Sequence, residues 1–290
     1  MSNSPESKKK NTVHLFRDKK ERGEPLTMLT AYDFPTAKAV DSAGIDSILV
    51  GDSLGMVVLG YENTIPVTME EMLHHSKAVS RGASRALLIG DMPFMSYQVS
   101  VENAVLNAGR FLQEAGMDAV KLEGGKERLE AIQAIIGAGI PVLGHLGLTP
   151  QSVHKLGGFK AQGKTADAAN LILEDALLLE KAGCFGIVLE SVPKRVAAFI
   201  SQKLRIPTIG IGAGQECDGQ VLVIHDLIGL YDSFTPKFVK QYATLHNDMQ
   251  KAIGEFQREV QDKKFPTQEH TFSINDKEWD LFLKMVGEHK

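Results

Sequence analysis

The chain has 290 residues, 43% of them hydrophobic and 23% charged, and a formal net charge of −4. This is the composition of a globular protein with a large core, and it excludes a strongly basic nucleic-acid-binding surface. No apolar run approaches the roughly 20 residues a membrane helix needs, and two cysteines, Cys184 and Cys217, make neither a disulfide framework nor a zinc pattern.

Residues 1–25 read as a polar, partly helical N-terminal segment. Residues 1–10 lack the apolar core of a signal peptide, and Lys8-Lys9-Lys10 reads as a solvated tail, so the cytoplasm is the expected compartment. From residue 26 onward strands and helices alternate. Strands are predicted over 26–30, 45–51, 86–90, 117–123, 140–145, 184–190, 207–211 and 220–225, enough for a closed (β/α)₈ TIM barrel rather than an open sheet. Several of these strands are almost wholly apolar, as in a parallel sheet covered on both faces. Between them, Thr68 and Glu71 form a capping box ahead of Met69, Met72, Leu73 and Val79. Ser100 caps a helix that Gly116 closes, a further helix runs over 167–182 to Gly183, and Pro193 suits the opening of the next. Long connections at 53–67 and 146–165 follow strand ends and read as covers over a site. Beyond Pro236 the chain reads as helical to about residue 263. A single barrel domain with a C-terminal helix is expected over 26–264, and a tail over 265–290, where Trp279, Leu281, Phe282 and Met285 mark a small docking helix.

Five apolar runs end in an ionisable residue: Asp52, Asp91, Glu123, His145 and Glu190. In a barrel the carboxyl ends of the strands share one face, and that face carries the active site. Each acid alone reads more readily as a helix cap or a turn residue than as a ligand. Three of them (Asp52, Asp91 and Glu123) at matching positions on consecutive strands point further, because crowded carboxylates need a cation or a proton. Oxygen-only ligands favour Mg²⁺. Lys121 lies on the same strand face as Glu123, either as a structural ion pair or as a clamp for a substrate carboxylate or keto oxygen. The apolar approach to Glu190 suits a general base near neutral pH, the alternative being a helix cap. His145 reads as an orienting group. The 210–214 segment, with glycines at 210, 212 and 214, lacks dinucleotide-loop spacing and reads as a tight turn.

A family resemblance rests on several of these stretches. They are Thr30-Ala31-Tyr32-Asp33, Val50-Gly51-Asp52-Ser53-Leu54-Gly55, Ile65-Pro66-Val67-Thr68 and Asp91-Met92-Pro93-Phe94. To these are added Lys121-Leu122-Glu123-Gly124-Gly125, the 144–152 block (Gly144-His145-Leu146-Gly147-Leu148-Thr149-Pro150-Gln151-Ser152), Val188-Leu189-Glu190 and the 209–214 glycine turn. From about residue 27 to about 272 the chain resembles the ketopantoate hydroxymethyltransferases. The resemblance implies a (β/α)₈ barrel that binds Mg²⁺ and assembles as a homodecamer. It implies transfer of a one-carbon unit from 5,10-methylenetetrahydrofolate to 3-methyl-2-oxobutanoate through a Mg²⁺-stabilised enolate. The product would be 2-dehydropantoate, a precursor of pantothenate and coenzyme A. By resemblance Asp52, Asp91 and Glu123 are the metal-site acids, Glu123 directly or through water. Ser53 and Lys121 hold the keto acid, Glu190 accepts the proton, and Tyr32 and His145 take secondary places around the substrate. Enzymes of the phosphoenolpyruvate mutase/isocitrate lyase kind are the nearest alternative, but many of those carry a cysteine on a mobile loop. Cys184 and Cys217 lie outside both long connections.

Overall fold

The computed structural model describes residues 9–158 and 160–288. Eight parallel strands close into a barrel in chain order: β1 (Leu26–Thr30), β2 (Ser47–Val50), β3 (Leu87–Asp91), β4 (Ala119–Glu123), β5 (Val142–Gly147), β6 (Gly186–Glu190), β7 (Thr208–Ile211) and β8 (Gly219–Leu222). The helices are α1 (His14–Arg22), α2 (Phe34–Ser42), α3 (Leu54–Val57), α4 (Met69–Gly82), α5 (Val101–Ala115), α6 (Leu129–Gly137), α7 (Val153–Leu156), α8 (Ala166–Ala182), α9 (Lys194–Lys203), α10 (Ile224–Leu227), α11 (Leu245–Gln261) and α12 (Asp276–Met285). The expected TIM barrel is therefore present. Both long connections carry short helices, α3 in the first and α7 in the second.

Strand alternation divides the core in two. Met28, Leu49, Leu87, Ile89, Ala119, Leu143, Val188, Ile209 and Val221 form one buried cluster, the barrel interior. Their neighbours Ile48, Leu88, Val120, Leu122, Val142, Ile187 and Leu189 face outward and pack with residues of the surrounding helices. Phe16 of α1 joins the interior cluster, fully buried and edge-on to Phe185 at 5.1 Å. Ion pairs from Lys19 to Asp46 (2.8 Å) and from Lys20 to Asp218 (2.9 Å) hold α1 in place. Gly90 sits among the outward rows because a β-carbon there would overlap the Phe111 ring of α5.

The helix signals have their expected geometry. Thr68 Oγ1 accepts from Glu71 N (3.2 Å) while Glu71 Oε2 accepts from Thr68 N (2.7 Å). Ser100 Oγ accepts from Asn103 N, and Gly116 ends α5 in the left-handed region at φ 68°. Pro193 takes the N-cap position of α9 rather than its first turn.

Three expectations are corrected. The eighth strand, expected over 220–225, ends at Leu222, because Ile224 N donates to Thr30 Oγ1 (2.9 Å) and draws the chain out of the ladder into α10. The helix expected from 236 begins only at Leu245. Before it, Phe238 packs over Gly212 and Tyr242 N donates to Leu227 O (2.8 Å), contacts that an uninterrupted helix would not make. Lys10 is not a solvated tail residue: its ammonium pairs with Asp118 (2.8 Å) and donates to Ala86 O. Residues 1–8, including Lys8, lie outside the described residues.

Two compact units are present, one ending at Tyr242 and the other beginning at Ala243, whereas sequence placed a boundary at 264/265. The second unit contains α11 and α12, the latter capped by Asn275 Oδ1 accepting from Glu278 N (3.0 Å). Among the described residues no helix is long and apolar enough to cross a membrane.

Candidate active site

The rows that build the barrel interior continue upward into polar residues. On β1 the row Leu26, Met28 ends in Thr30; on β3, Leu87, Ile89 ends in Asp91; on β4, Ala119 is followed by Lys121 and Glu123. On β5, Leu143 precedes His145, and on β6, Val188 precedes Glu190. Register sets Asp91 beside Lys121 and Glu123 beside His145 across the ladders. The period of two that fills the core thus delivers these groups to one carboxyl-terminal rim.

The floor is buried and tightly paired. Lys121 Nζ lies 2.7 Å from Asp91 Oδ1, and Asp91 Oδ2 accepts from Asp52 N (3.1 Å). Glu123 Oε2 accepts from the backbone of Gln151 (3.1 Å). His145 bridges the two sides, with Nδ1 3.5 Å from Glu123 Oε1 and Nε2 3.2 Å from Glu190 Oε2. Lys121 Nζ also lies 3.3 Å from His145 Nδ1. Asp52, Ser53, Asp91, Lys121, Glu123, His145 and Glu190 all line one cavity of about 560 Å³. Tyr32 stands behind it: the ring is buried and its hydroxyl meets Ser53 Oγ at 2.8 Å. A second hollow of about 730 Å³, near Gly214 and Gln220, holds none of these acids.

The electrostatics follow from burial of more acids than cations. Burial, reinforced by Glu123, pushes Asp52 up to about 6, and burial also raises Asp91 against the pull of Lys121. Burial acts to discharge the Lys121 ammonium, yet Asp91, Glu123 and Asp52 outweigh it and the net shift is upward. Burial and Lys121 both disfavour a charged His145, but Glu123 and Glu190 carry it up to about 9. Glu123 Oε1 is buried without a hydrogen-bond donor, and Asp91 Oδ1 has only the lysine contact. Among the described residues no three acidic, histidine or cysteine side chains are gathered as a finished ligand set. The floor nevertheless suits a hard divalent cation, since its donors are carboxylate oxygens in excess of the positive charge.

Gln151, Tyr97 and Asp226 were not anticipated. Gln151 Nε2 donates to Asp52 Oδ2 and to Met92 O, both at 2.9 Å, while its Oε1 accepts from Tyr97 OH at 2.7 Å. Tyr97 OH in turn accepts from Glu123 N (3.2 Å). Gln151 thereby ties the connection after β5 to two floor acids. The turn that allows this begins at Gly147, at φ 95°, where a β-carbon would collide with Glu190 O. A polar residue inside the long 146–165 connection was the available signal for Gln151. Nothing local marks Tyr97. Asp226, in α10, lines the same cavity.

Residues 10–268 match the family model described as ketopantoate hydroxymethyltransferase. A 3-methyl-2-oxobutanoate hydroxymethyltransferase of Clostridium botulinum (strain 657 / Type Ba4) is 56% identical over 267 residues, 92% of this chain and 97% of its own. One of the same name from Acetivibrio thermocellus is 58% identical, over 92% and 94%. Among solved structures, phosphonopyruvate hydrolase shares the fold at a TM-score of 0.60 and 13% identity, over 96% of this chain and 95% of that one.

Proposed function

The chain belongs to the ketopantoate hydroxymethyltransferase family, and from that premise we propose that it transfers a hydroxymethyl group from 5,10-methylenetetrahydrofolate to 3-methyl-2-oxobutanoate, yielding 2-dehydropantoate with Mg²⁺ as cofactor. The observation that carries the reading is the convergence of Asp52, Asp91, Glu123 and Lys121 on one floor, with Glu190 joined to it through His145. Asp52, Asp91 and Glu123 would hold the ion, Glu123 directly or through water. The chemistry such an ion supplies is Lewis-acid polarisation of the keto oxygen.

The remaining chemistry belongs to the chain. Lys121 and Ser53 receive the keto acid's oxygens, and Tyr32 fixes the Ser53 hydroxyl from behind. Glu190 takes the proton from C3, its carboxylate oriented by His145 Nε2 at 3.2 Å. One of the two C–N bonds of the methylene bridge opens, its nitrogen taking up the equivalent of the C3 proton, and the C3 electron pair bonds to the methylene carbon. Water oxygen then replaces the second folate nitrogen on that carbon, the water proton goes to that nitrogen, and tetrahydrofolate leaves. The buried floor keeps bulk water from the carbanion. A cytoplasmic homodecamer acting in pantothenate biosynthesis completes the proposal, and sedimentation velocity tests the assembly.

The fold likeness leaves one second reading to test, a lyase or mutase of the phosphoenolpyruvate mutase/isocitrate lyase kind. Against it, Cys184 and Cys217 are buried and lie outside both long connections. Incubation with 3-methyl-2-oxobutanoate and Mg²⁺ separates the two. Product formed only when methylenetetrahydrofolate is added supports the transferase, and folate-independent bond cleavage would overturn it.

A further inference from the structure

Four of the cavity's acids are engaged: Asp91 with Lys121, Asp52 and Glu123 with Gln151, and Glu190 with His145. Asp226 differs. It lines the same cavity, is 9% exposed, and its carboxylate has no hydrogen-bond or ion-pair partner among the described residues. The lining of the cavity also includes Met56, Val57, Val223, Tyr231, Phe234 and Phe238, an apolar share with three aromatic rings, together with Lys237. The position is fixed rather than incidental, because α10 is anchored to β1 by Ile224 N donating to Thr30 Oγ1.

We propose that Asp226 is the recognition group for the pterin ring of the folate donor, its two carboxylate oxygens accepting from the ring's N3–H and 2-amino group. This rests on the folate-dependent reading above. A buried carboxylate without a donor is costly, so the group is kept for a ligand that brings donors. The keto acid brings only acceptor oxygens and cannot be that ligand. A pterin has two adjacent N–H donors on one edge, a spacing that matches a carboxylate, and flat faces that suit an aromatic and aliphatic wall. Burial pushes the Asp226 carboxyl up to about 6, which leaves it ionised at neutral pH and ready to accept both bonds. Acid floor and apolar wall then divide the cavity, keto acid on one and pterin on the other.

The test is equilibrium binding of tetrahydrofolate, and of an analogue lacking the 2-amino group, to the full chain with Mg²⁺ and keto acid present. The unaltered protein should bind the analogue roughly 10- to 100-fold more weakly than tetrahydrofolate. Asp226→Ala and Asp226→Asn should weaken tetrahydrofolate by a similar factor and bring the two ligands within about threefold of each other. Equal binding of both ligands by the unaltered protein overturns the proposal, even if a variant fails to fold. So does a tetrahydrofolate affinity unchanged in both variants, or a second Mg²⁺ equivalent that vanishes in Asp226→Asn while folate binding survives. If the unaltered protein neither binds tetrahydrofolate nor uses its methylene form, the folate reading itself fails and this assignment with it.

Discussion

Truncating Gln151 to alanine removes three buried hydrogen bonds at once: to Asp52 Oδ2, to Met92 O and from Tyr97 OH. A bond to a carboxylate contributes about 1.5–3 kcal/mol, and each neutral one about 1 kcal/mol. Water from the adjoining cavity can satisfy part of what is exposed, so the expected loss is about 3 kcal/mol. For a domain of this size that is a fall in melting temperature of about 6–12 °C. The same change frees Asp52 to rotate away from the floor and loosens the turn that donates to Glu123. A misorientation costing about 1.4 kcal/mol would raise the Mg²⁺ concentration for half-maximal C3 exchange about tenfold. Differential scanning fluorimetry and a Mg²⁺ titration of deuterium uptake by 3-methyl-2-oxobutanoate measure the two effects. Gln151→Glu keeps the shape but sets a carboxylate against Asp52, and should be at least as damaging at pH 8. A melting point within about 2 °C of the parent (at most about 1 kcal/mol), together with an unshifted Mg²⁺ curve, would refute the reasoning.

Glu190→Gln should slow C3 deuterium exchange by about 10²–10⁴, and exchange surviving at the parent rate in an NMR assay would remove Glu190 as the base. Asp52→Asn and Asp91→Asn should each weaken Mg²⁺ and keto-acid binding, and unchanged magnesium dependence in both would contradict their role. Asp91→Asn also removes the closest counter-charge of the Lys121 ammonium, leaving only Glu123 and Asp52, for which about 3 kcal/mol of stability should be lost in urea unfolding. Burial raises Asp226 from 3.8 to about 6, so its contribution to stability is fully present below pH 3.8 and is lost as pH rises through about 6. Asp226→Asn should therefore unfold at higher urea by about 2 kcal/mol at pH 8 and show no gain at pH 3.5; the reverse order would show the sign to be wrong. Phe16→Ala should cost about 3–4 kcal/mol, because the ring is fully buried in the barrel interior. A denaturation midpoint equal to the parent's would show that α1 contributes nothing to that core.

Much of the site was legible because its chemistry follows the strand repeat. Asp91, Lys121, Glu123, His145 and Glu190 occupy inward positions of strands whose apolar character is plain in sequence. Asp52 follows directly on one such strand. Tyr32 was legible only as a member of the Thr30–Asp33 stretch, and its actual place behind Ser53 needed the fold. Gln151 and Tyr97 are 54 residues apart yet share a hydrogen bond, a relation that no local pattern encodes. The end of β8 was misjudged for the same reason, since the donor that terminates it binds a hydroxyl 194 residues away.

By itself the sequence determined the number and order of the strands, several of the helices and their caps, and which rim would collect the charges, because local hydrophobic period and capping chemistry act over a few residues. The tertiary structure alone decided how those charges pair, which acids are satisfied and which one is left facing the cavity without a donor. Those outcomes depend on barrel closure, which brings distant strands and loops within bonding distance and removes the water that would otherwise level their differences.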